Sequence, residues 1–417
     1  MLDIQKIRNE KKTVEQALLK RLKPDDFNLD KIIAFDDQRK ELTEKINNLR
    51  AERNQASKTK PSPEIIGQMK GLGDQEKKLE EQLNKVEVDL NEQLAGLPNL
   101  PAEDVVAGGK ENNKVIFSFQ KKSEFKFKVK DHLELSQDFK LIDYQRAAKM
   151  SGSGFWIYTN QGALLEWALI NYFIDFHKKN KYRFILFPYL LTEQSAYTSG
   201  HLPKFKDDLF WTQDKLCLNA TSEMMLGNYH RDEVIKEEEL PLKYFSFSAC
   251  FRREAGSYRT EERGMIRGHQ FNKVEMFQLT KPEQSWLAFE ELRKNAEDLL
   301  KGLELHFQTS QLAAADASSA MAKTVDLEVW IPSMNLYKEV SSVSNALDYQ
   351  ARRGNIRFKN KQTGKNEFVH TLNASGLATS RLLPAILEQF QQADGSIKVP
   401  RALQKYLDFK EINNNVK

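Results

Sequence analysis

The chain has 417 residues, of which 29% are charged and 40% hydrophobic, and its mean hydropathy is −0.61. That length implies two or three domains, and no apolar run exceeds about eight residues, well short of the roughly 20 a membrane helix needs. Lys and Arg total 63 against 59 Asp and Glu, a net charge of +4, so nucleic-acid contact requires a local basic face. The opening MLDIQKIRNE is charged where a secretory peptide carries its apolar core. Cys217 and Cys250 belong to no CxxC or Cys/His cluster, which points to a reduced, cytoplasmic protein without zinc.

The first hundred residues are rich in Lys, Glu, Gln, Asn and Leu, the composition of long exposed helices. Phe35, Leu42, Ile46 and Leu49 recur at coiled-coil spacing. Pro61 and Pro63 mark a turn. A second seam follows through Met69, Leu72, Glu76, Leu79, Leu83, Val86, Leu90 and Leu94. Two seams of similar length joined by a short turn predict an antiparallel helical hairpin over about residues 28 to 97, within an N-terminal domain of residues 1–97. Pro98, Pro101, Gly108 and Gly109 end the periodicity, and residues 98–114 read as a linker.

Residues 115–417 read as one further domain. A helix is expected over 162–179, alternating strands over 243–254 and 267–279 around a polar loop, a strand over 324–332 and a helix over 377–392. The predicted fold class is α+β with an antiparallel sheet. Period-two geometry puts Phe245, Phe247, Ala249 and Phe251 on one face of the first strand and Ser248, Cys250, Arg252 and Glu254 on the other. On the returning strand Arg267, His269, Phe271, Lys273 and Glu275 share a face. Guanidinium groups, an aromatic ring and carboxylates on one patch suit a nucleotide. Periodicity alone favours the plainer reading, a solvated face with cross-strand ion pairs.

The string FRREAGSYRTEERGMIRGHQFNKVEMF (251–277) resembles motif 2 of the class II aminoacyl-tRNA synthetases, specifically the seryl enzymes. TSE (221–223), KEVSSVSNALDYQARR (338–353), TLNASGLATSR (371–381), DYQRAAKMSGSGF (143–155) and the N-terminal hairpin are similar to the same family in the same order. The resemblance implies a class II catalytic core and activation of L-serine by ATP. Seryl-adenylate forms, pyrophosphate leaves, and serine passes to the 3′ end of serine tRNA, with selenocysteine tRNA a further substrate where a cell has it. The nucleophile is serine's own carboxylate, so no Ser, Cys or His base is required.

By resemblance, Arg252 holds the α-phosphate and the serine carboxylate, Glu254 the adenine edge and Phe271 the adenine face, while Arg267 and Arg381 receive the outer phosphates. Arg253, Val340 and Ser341 are expected around ATP. Glu339 and Ser342 would hold Mg²⁺ or Mn²⁺ with ATP, an oxygen-only site. Thr221, Ser222 and Glu223 fall at the serine ammonium, and Glu275 and Ser375 at its hydroxyl. The family is a homodimer whose arm meets the long variable arm of serine tRNA, and Lys45, Arg50, Arg53 and Lys58 are the exposed arm cations available to phosphates. Arg253, the RTEE stretch (259–262), Ala374, Thr379, Ser380 and Pro384 depart from the family pattern. An interior proline breaks a helix unless it sits in the first turn. Two other functions fit less well: a carrier-protein ligase would lack the hairpin, and an inactive RNA-binding relative would have lost the phosphate arginines.

Overall fold

The computed structural model describes residues 1–58, 62–255 and 264–413, so Pro61 and the RTEE stretch lie outside the described residues. It divides into two compact units, Met1–Leu100 and Pro101–Lys417.

In the first unit two short helices, α1 (Ile4–Asn9) and α2 (Lys11–Leu18), precede the long α3 (Leu29–Ala56) and α4 (Pro63–Gly96). Local chemistry sets both long starts. Asn28 accepts from the Lys31 amide at 2.9 Å and Ser62 from the Ile65 amide at 3.2 Å, with Pro63 at the first helical position, where its missing N–H has no role. The seam residues named above are buried or half-buried. Glu76 sits among them, 7% exposed, held by Arg50 Nε at 2.7 Å and Arg53 Nη1 at 2.5 Å. The Arg50 guanidinium holds this carboxyl below its ordinary range. Arg50 also reaches Glu80, and Lys45 pairs with Glu41. Three of the four cations expected to face RNA are therefore engaged within the arm, and only Lys58 stands apart from these pairs. Asp36, which the seam pattern passes over, is fully buried and collects Arg8, Arg39 and Lys40 at 2.8–3.0 Å. That cluster pins α1 to the base of the arm.

The second unit is built on an eight-stranded sheet of β1 (Lys114–Phe119), β2 (Arg183–Phe184), β3 (Leu242–Phe251), β4 (Gln270–Thr280), β5 (Phe307–Gln311), β6 (Lys323–Ile331), β7 (Leu336–Leu347) and β8 (His370–Ala378). Its order is β1-β5-β6-β7-β8-β4-β3-β2, antiparallel except for the β2–β3 edge. The register aligns Phe245, Met276, Ala374, Val343 and Val325 across the sheet. All five join one core with helices α5 (Asn160–Lys179), α6 (Ser285–Gly302) and α7 (Thr379–Gln389). Phe173, Phe245, Phe289 and Phe307 are completely buried there, each contributing roughly 1.5–3 kcal/mol. With one face committed to that core, the neighbouring residue on each strand, such as Ser246, Glu275 or Ser375, must face the other way.

Three expectations need correction. The polar face of β3 is not an open surface: Ser246, Ser248 and Cys250 are fully buried, with Asn219 and Ser222 bonded to Ser248. From Ala102 onward the segment read as linker is bonded into the second unit, through Ala102 to Ala322, Val106 to Ala314, Gly108 to Ala315, and an ion pair of Asp104 with Lys323. Helix α7 begins at Thr379, which puts Arg381 in its first turn but leaves Pro384 inside the helix, where it can donate nothing to the Ser380 carbonyl.

Candidate active site

Side chains of β4, β7 and β8, with Arg252 just beyond the end of β3, line a cleft on the sheet face opposite the helices. Its inner cavity, about 380 Å³, is lined by Thr221, Glu223, Arg252, Lys273, Glu275 and Ser375 among others. It continues into a smaller hollow of about 80 Å³ lined by Glu254, Arg267, Phe271, Glu339, Val340 and Arg381.

The inner end is acidic, and its carboxylates are buried. Glu275, facing Ser375 in register, is completely buried; its Oε1 accepts from Asn373 Nδ2 at 3.0 Å and its Oε2 lies 2.7 Å from Lys273 Nζ. Glu223, 8% exposed, accepts from Gln350 Nε2 at 2.7 Å, and its amide meets the Thr221 hydroxyl at 3.2 Å. Burial first, then the Glu275 charge, push Glu223 up to about 7. His201, also at this cavity, is held near 3 by burial and the charges of Arg252 and Lys273, so its ring is neutral. Of the two buried carboxylates only Glu275 has a direct ion-pair partner among the described residues, Lys273, while Glu223 is held by the neutral Gln350 amide and so can take a cationic group, because a buried charge without a close partner is costly.

The outer end is cationic. Arg252 lies 5.2 Å from the Phe271 ring centroid, with its Nε on the Ala220 carbonyl. Arg267 pairs with Glu254 at 2.5 Å, and Arg381 is fixed by the Glu339 and Ile266 carbonyls at 2.9 and 3.1 Å. Two backbone irregularities shape this end: Glu254 has φ 53° and Leu377 φ 95°, the second inside a bulge between Ser375 and Ala378. Positive φ at non-glycine residues concentrates at functional sites. Gly376 beside it has a steric reason, since a Cβ there would come within 2.3 Å of His177 Nε2.

Not every expected residue reaches the cleft. The Ser222 hydroxyl turns to Ser248 at 2.7 Å and the Ser341 hydroxyl to the Ser375 carbonyl at 2.6 Å. Arg253, one step out of phase with Arg252 and Glu254, lies over Phe210 in a neighbouring depression with Ser151 and His269. Sequence reasoning placed Lys273 on this face without giving it a role and left out Asn373, Gln350 and Asp326. Asp326 faces Ser342 in register, is 9% exposed, and has a buried Oδ1 without a hydrogen-bond partner; burial and then the Glu339 charge raise it well above the carboxylate range. Among the described residues no group of three His, Cys, Asp or Glu side chains forms a metal cluster.

Residues 1–101 match the seryl-tRNA synthetase N-terminal domain, and residues 204–390 the tRNA synthetase class II core domain (G, H, P, S and T). Serine–tRNA ligase 2 of Clostridium acetobutylicum is 52% identical over 98% of this chain and 99% of its own. The chain belongs to the seryl-tRNA synthetase family. A second relative, serine–tRNA ligase of Petrotoga mobilis, is 47% identical over 98% of this chain and 99% of its own. The fold agrees with seryl-tRNA synthetase from Pyrococcus horikoshii complexed with ATP, at a TM-score of 0.92, 32% identity and 99% coverage of both chains. The cytoplasmic enzyme of Naegleria fowleri in complex with AMP gives 0.88 at 28% identity, covering 100% of this chain and 99% of that one. Family membership carries the activity: this is an ATP-dependent ligase that joins serine to tRNA. No helix among the described residues is long and apolar enough to cross a membrane.

Proposed function

We propose that the inner cavity holds serine and the outer hollow ATP, with the reacting carboxylate and α-phosphorus meeting at Arg252. The pairing of buried Glu223 and Glu275 in one cavity, with Arg252 lining both compartments, carries this reading. Glu223 and Thr221 receive the ammonium, and Glu275 accepts the hydroxyl proton in a hydrogen bond while Ser375 closes the pocket beside it. Phe271 stacks on the adenine and Glu254 meets its edge. Attack of the carboxylate oxygen on phosphorus breaks the bond to pyrophosphate; Arg252 offsets charge on the α-phosphate, and Arg267 and Arg381 on the departing phosphates. The seryl group of this mixed anhydride then passes to a hydroxyl of the terminal tRNA adenosine, forming an ester as the bond to phosphate breaks and AMP leaves.

Glu339 and Ser342 would hold a hard divalent cation, Mg²⁺ or Mn²⁺, and the buried Asp326 Oδ1, in register with Ser342 and without a hydrogen-bond partner among the described residues, fits an oxygen donor set of that kind. Bound with ATP, the cation supplies neutralisation of phosphate charge. The arm is the element for the variable arm of serine tRNA, with selenocysteine tRNA recognised by the same shape. Exposed Leu164, Trp167, Phe184, Leu186 and Leu190, on and near α5 and the sheet edge β2, support the homodimer, since apolar surface of this kind ordinarily marks an interface. The tRNA substrate and two buried free thiols support a cytoplasmic site. Amino-acid-dependent ATP–pyrophosphate exchange with each of the twenty amino acids tests the pocket: serine alone should support it, and equal exchange with alanine would refute it.

A further inference from the structure

Helix α5 buries a carboxylate, Glu166, that the adenylation chemistry does not touch. It is 3% exposed and lies on the core side of the sheet, on the helix that carries Leu165 and Leu169 into that core. An isolated carboxylate in such a place is strongly disfavoured, and burial alone raises Glu166 to about 7. Its partners are specific. Oε1 accepts from Thr379 Oγ1 at 2.6 Å and from Asn272 Nδ2 at 2.8 Å, and the Thr379 hydroxyl lies 3.1 Å from the Asn272 carbonyl. Tyr158 is buried nearby, its phenol pushed up by burial and by the Glu166 charge, while its hydroxyl and Glu166 Oε2 make no hydrogen bond among the described residues.

The two donors belong to different halves of the outer hollow. Asn272 sits between Phe271 and Lys273 on β4, its side chain on the face opposite theirs. Thr379 is the first residue of α7, two before Arg381. Between them the ladder is thin, because β8 bulges away from β4 between Ser375 and Ala378 and pairing resumes only at Ala378 opposite Lys273, so a single backbone pair, one residue before α7, joins the helix start to the Phe271 strand. We infer that Glu166 is a positioning residue that ties the Phe271 strand to the Arg381 helix from behind and so sets the adenine-to-phosphate span of the nucleotide subsite. The inference rests on the assignment of Phe271 and Arg381 to ATP. It separates the role of α5 from packing: Leu165, Leu169 and Phe173 hold the helix in the core, whereas Glu166 registers two ligand-binding elements. A displacement of about 1 Å in such a frame is enough to cost up to a hundredfold in rate.

The test is ATP–pyrophosphate exchange on the full-length enzyme, with KM for ATP and for serine measured separately. Glu166→Ala and Thr379→Val should each raise the ATP KM about tenfold or more while the serine KM stays within twofold. Glu166→Gln, which retains the Oε1 acceptor, should recover most of the loss. The double variant should be no worse than the worse single one, as expected of groups acting through one bond. If Glu166→Ala fails to fold, Thr379→Val and Glu166→Gln carry the same comparison. An ATP KM within twofold of wild type in Thr379→Val, or equal rises in both KM values, would overturn the inference. Arg381→Ala and Phe271→Ala serve as controls: an unchanged ATP KM in these would overturn the site assignment instead.

Discussion

The carboxylate proposed for the serine ammonium should make substrate capture pH-dependent. Glu223 is raised to about 7 by burial and by Glu275, so in the free enzyme it loses its charge as the pH falls through neutrality. Only the ionised form pairs with the ammonium. The ionised fraction is about 76% at pH 7.5 and about 9% at pH 6, so kcat/KM for serine should fall about eightfold across that window. Once serine is bound, its positive charge holds Glu223 ionised, and kcat should change far less. Pyrophosphate exchange at saturating ATP, with serine varied at several pH values, separates the two. Glu223→Gln cannot titrate, so its residual kcat/KM should lose the Glu223-dependent slope after an overall drop of about 2–5 kcal/mol in binding. A serine KM independent of pH from 6 to 7.5, or a slope preserved in Glu223→Gln, would refute the assignment.

Arg252→Ala should lower serine-dependent exchange by about a hundred- to thousandfold, the usual loss of one preorganised donor, with an unchanged melting temperature. Glu275→Ala should remove most discrimination between serine and alanine, because a site built to bond a hydroxyl rejects its absence by leaving its own polar group unpaired; competition of alanine in the exchange assay reads this directly. Replacing residues 43–86 by a short turn keeps the Asp36 cluster and the base of the arm, and should leave exchange intact while abolishing tRNA charging in an aminoacylation assay. Asp326→Asn should weaken Mn²⁺ binding in the presence of ATP, measured by electron paramagnetic resonance.

Much of the fold was legible because periodicity reports what a side chain faces. Leu72, Leu79 and Leu83 declared the seam of α4, and Phe271, Lys273 and Glu275 declared one face of β4. What periodicity misreads is a strand buried on both faces. Ser246, Ser248 and Cys250 look like an outward face because they are small and polar, yet they are buried because Asn219 and Ser222 bring matching hydrogen bonds from a distant segment. The linker reading failed similarly: proline and glycine mark irregular backbone, whereas its attachment is decided by partners such as Ala322 and Lys323, more than 200 residues away.

The same distinction explains which charged residues could be assigned. Arg252, Arg267 and Arg381 stand in motifs whose chemistry requires a cation whatever surrounds it. Arg50 and Arg53 carry the same charge, but across the hairpin Glu76 takes both, and no local pattern distinguishes an arginine that will meet phosphate from one already satisfied. For the carboxylates the difference is sharper. Glu223, Glu275 and Glu166 are all buried, and each is tolerable only through its neighbours: Gln350 for the first, Asn373 and Lys273 for the second, Thr379 and Asn272 for the third. Two of those neighbourhoods open into the cleft and one is closed behind it. The sign of the local field therefore follows from the register of β4 with β8, which sends Glu275 forward into the cleft and Asn272 back to Glu166, and a one-residue slip of that pairing would exchange the two faces.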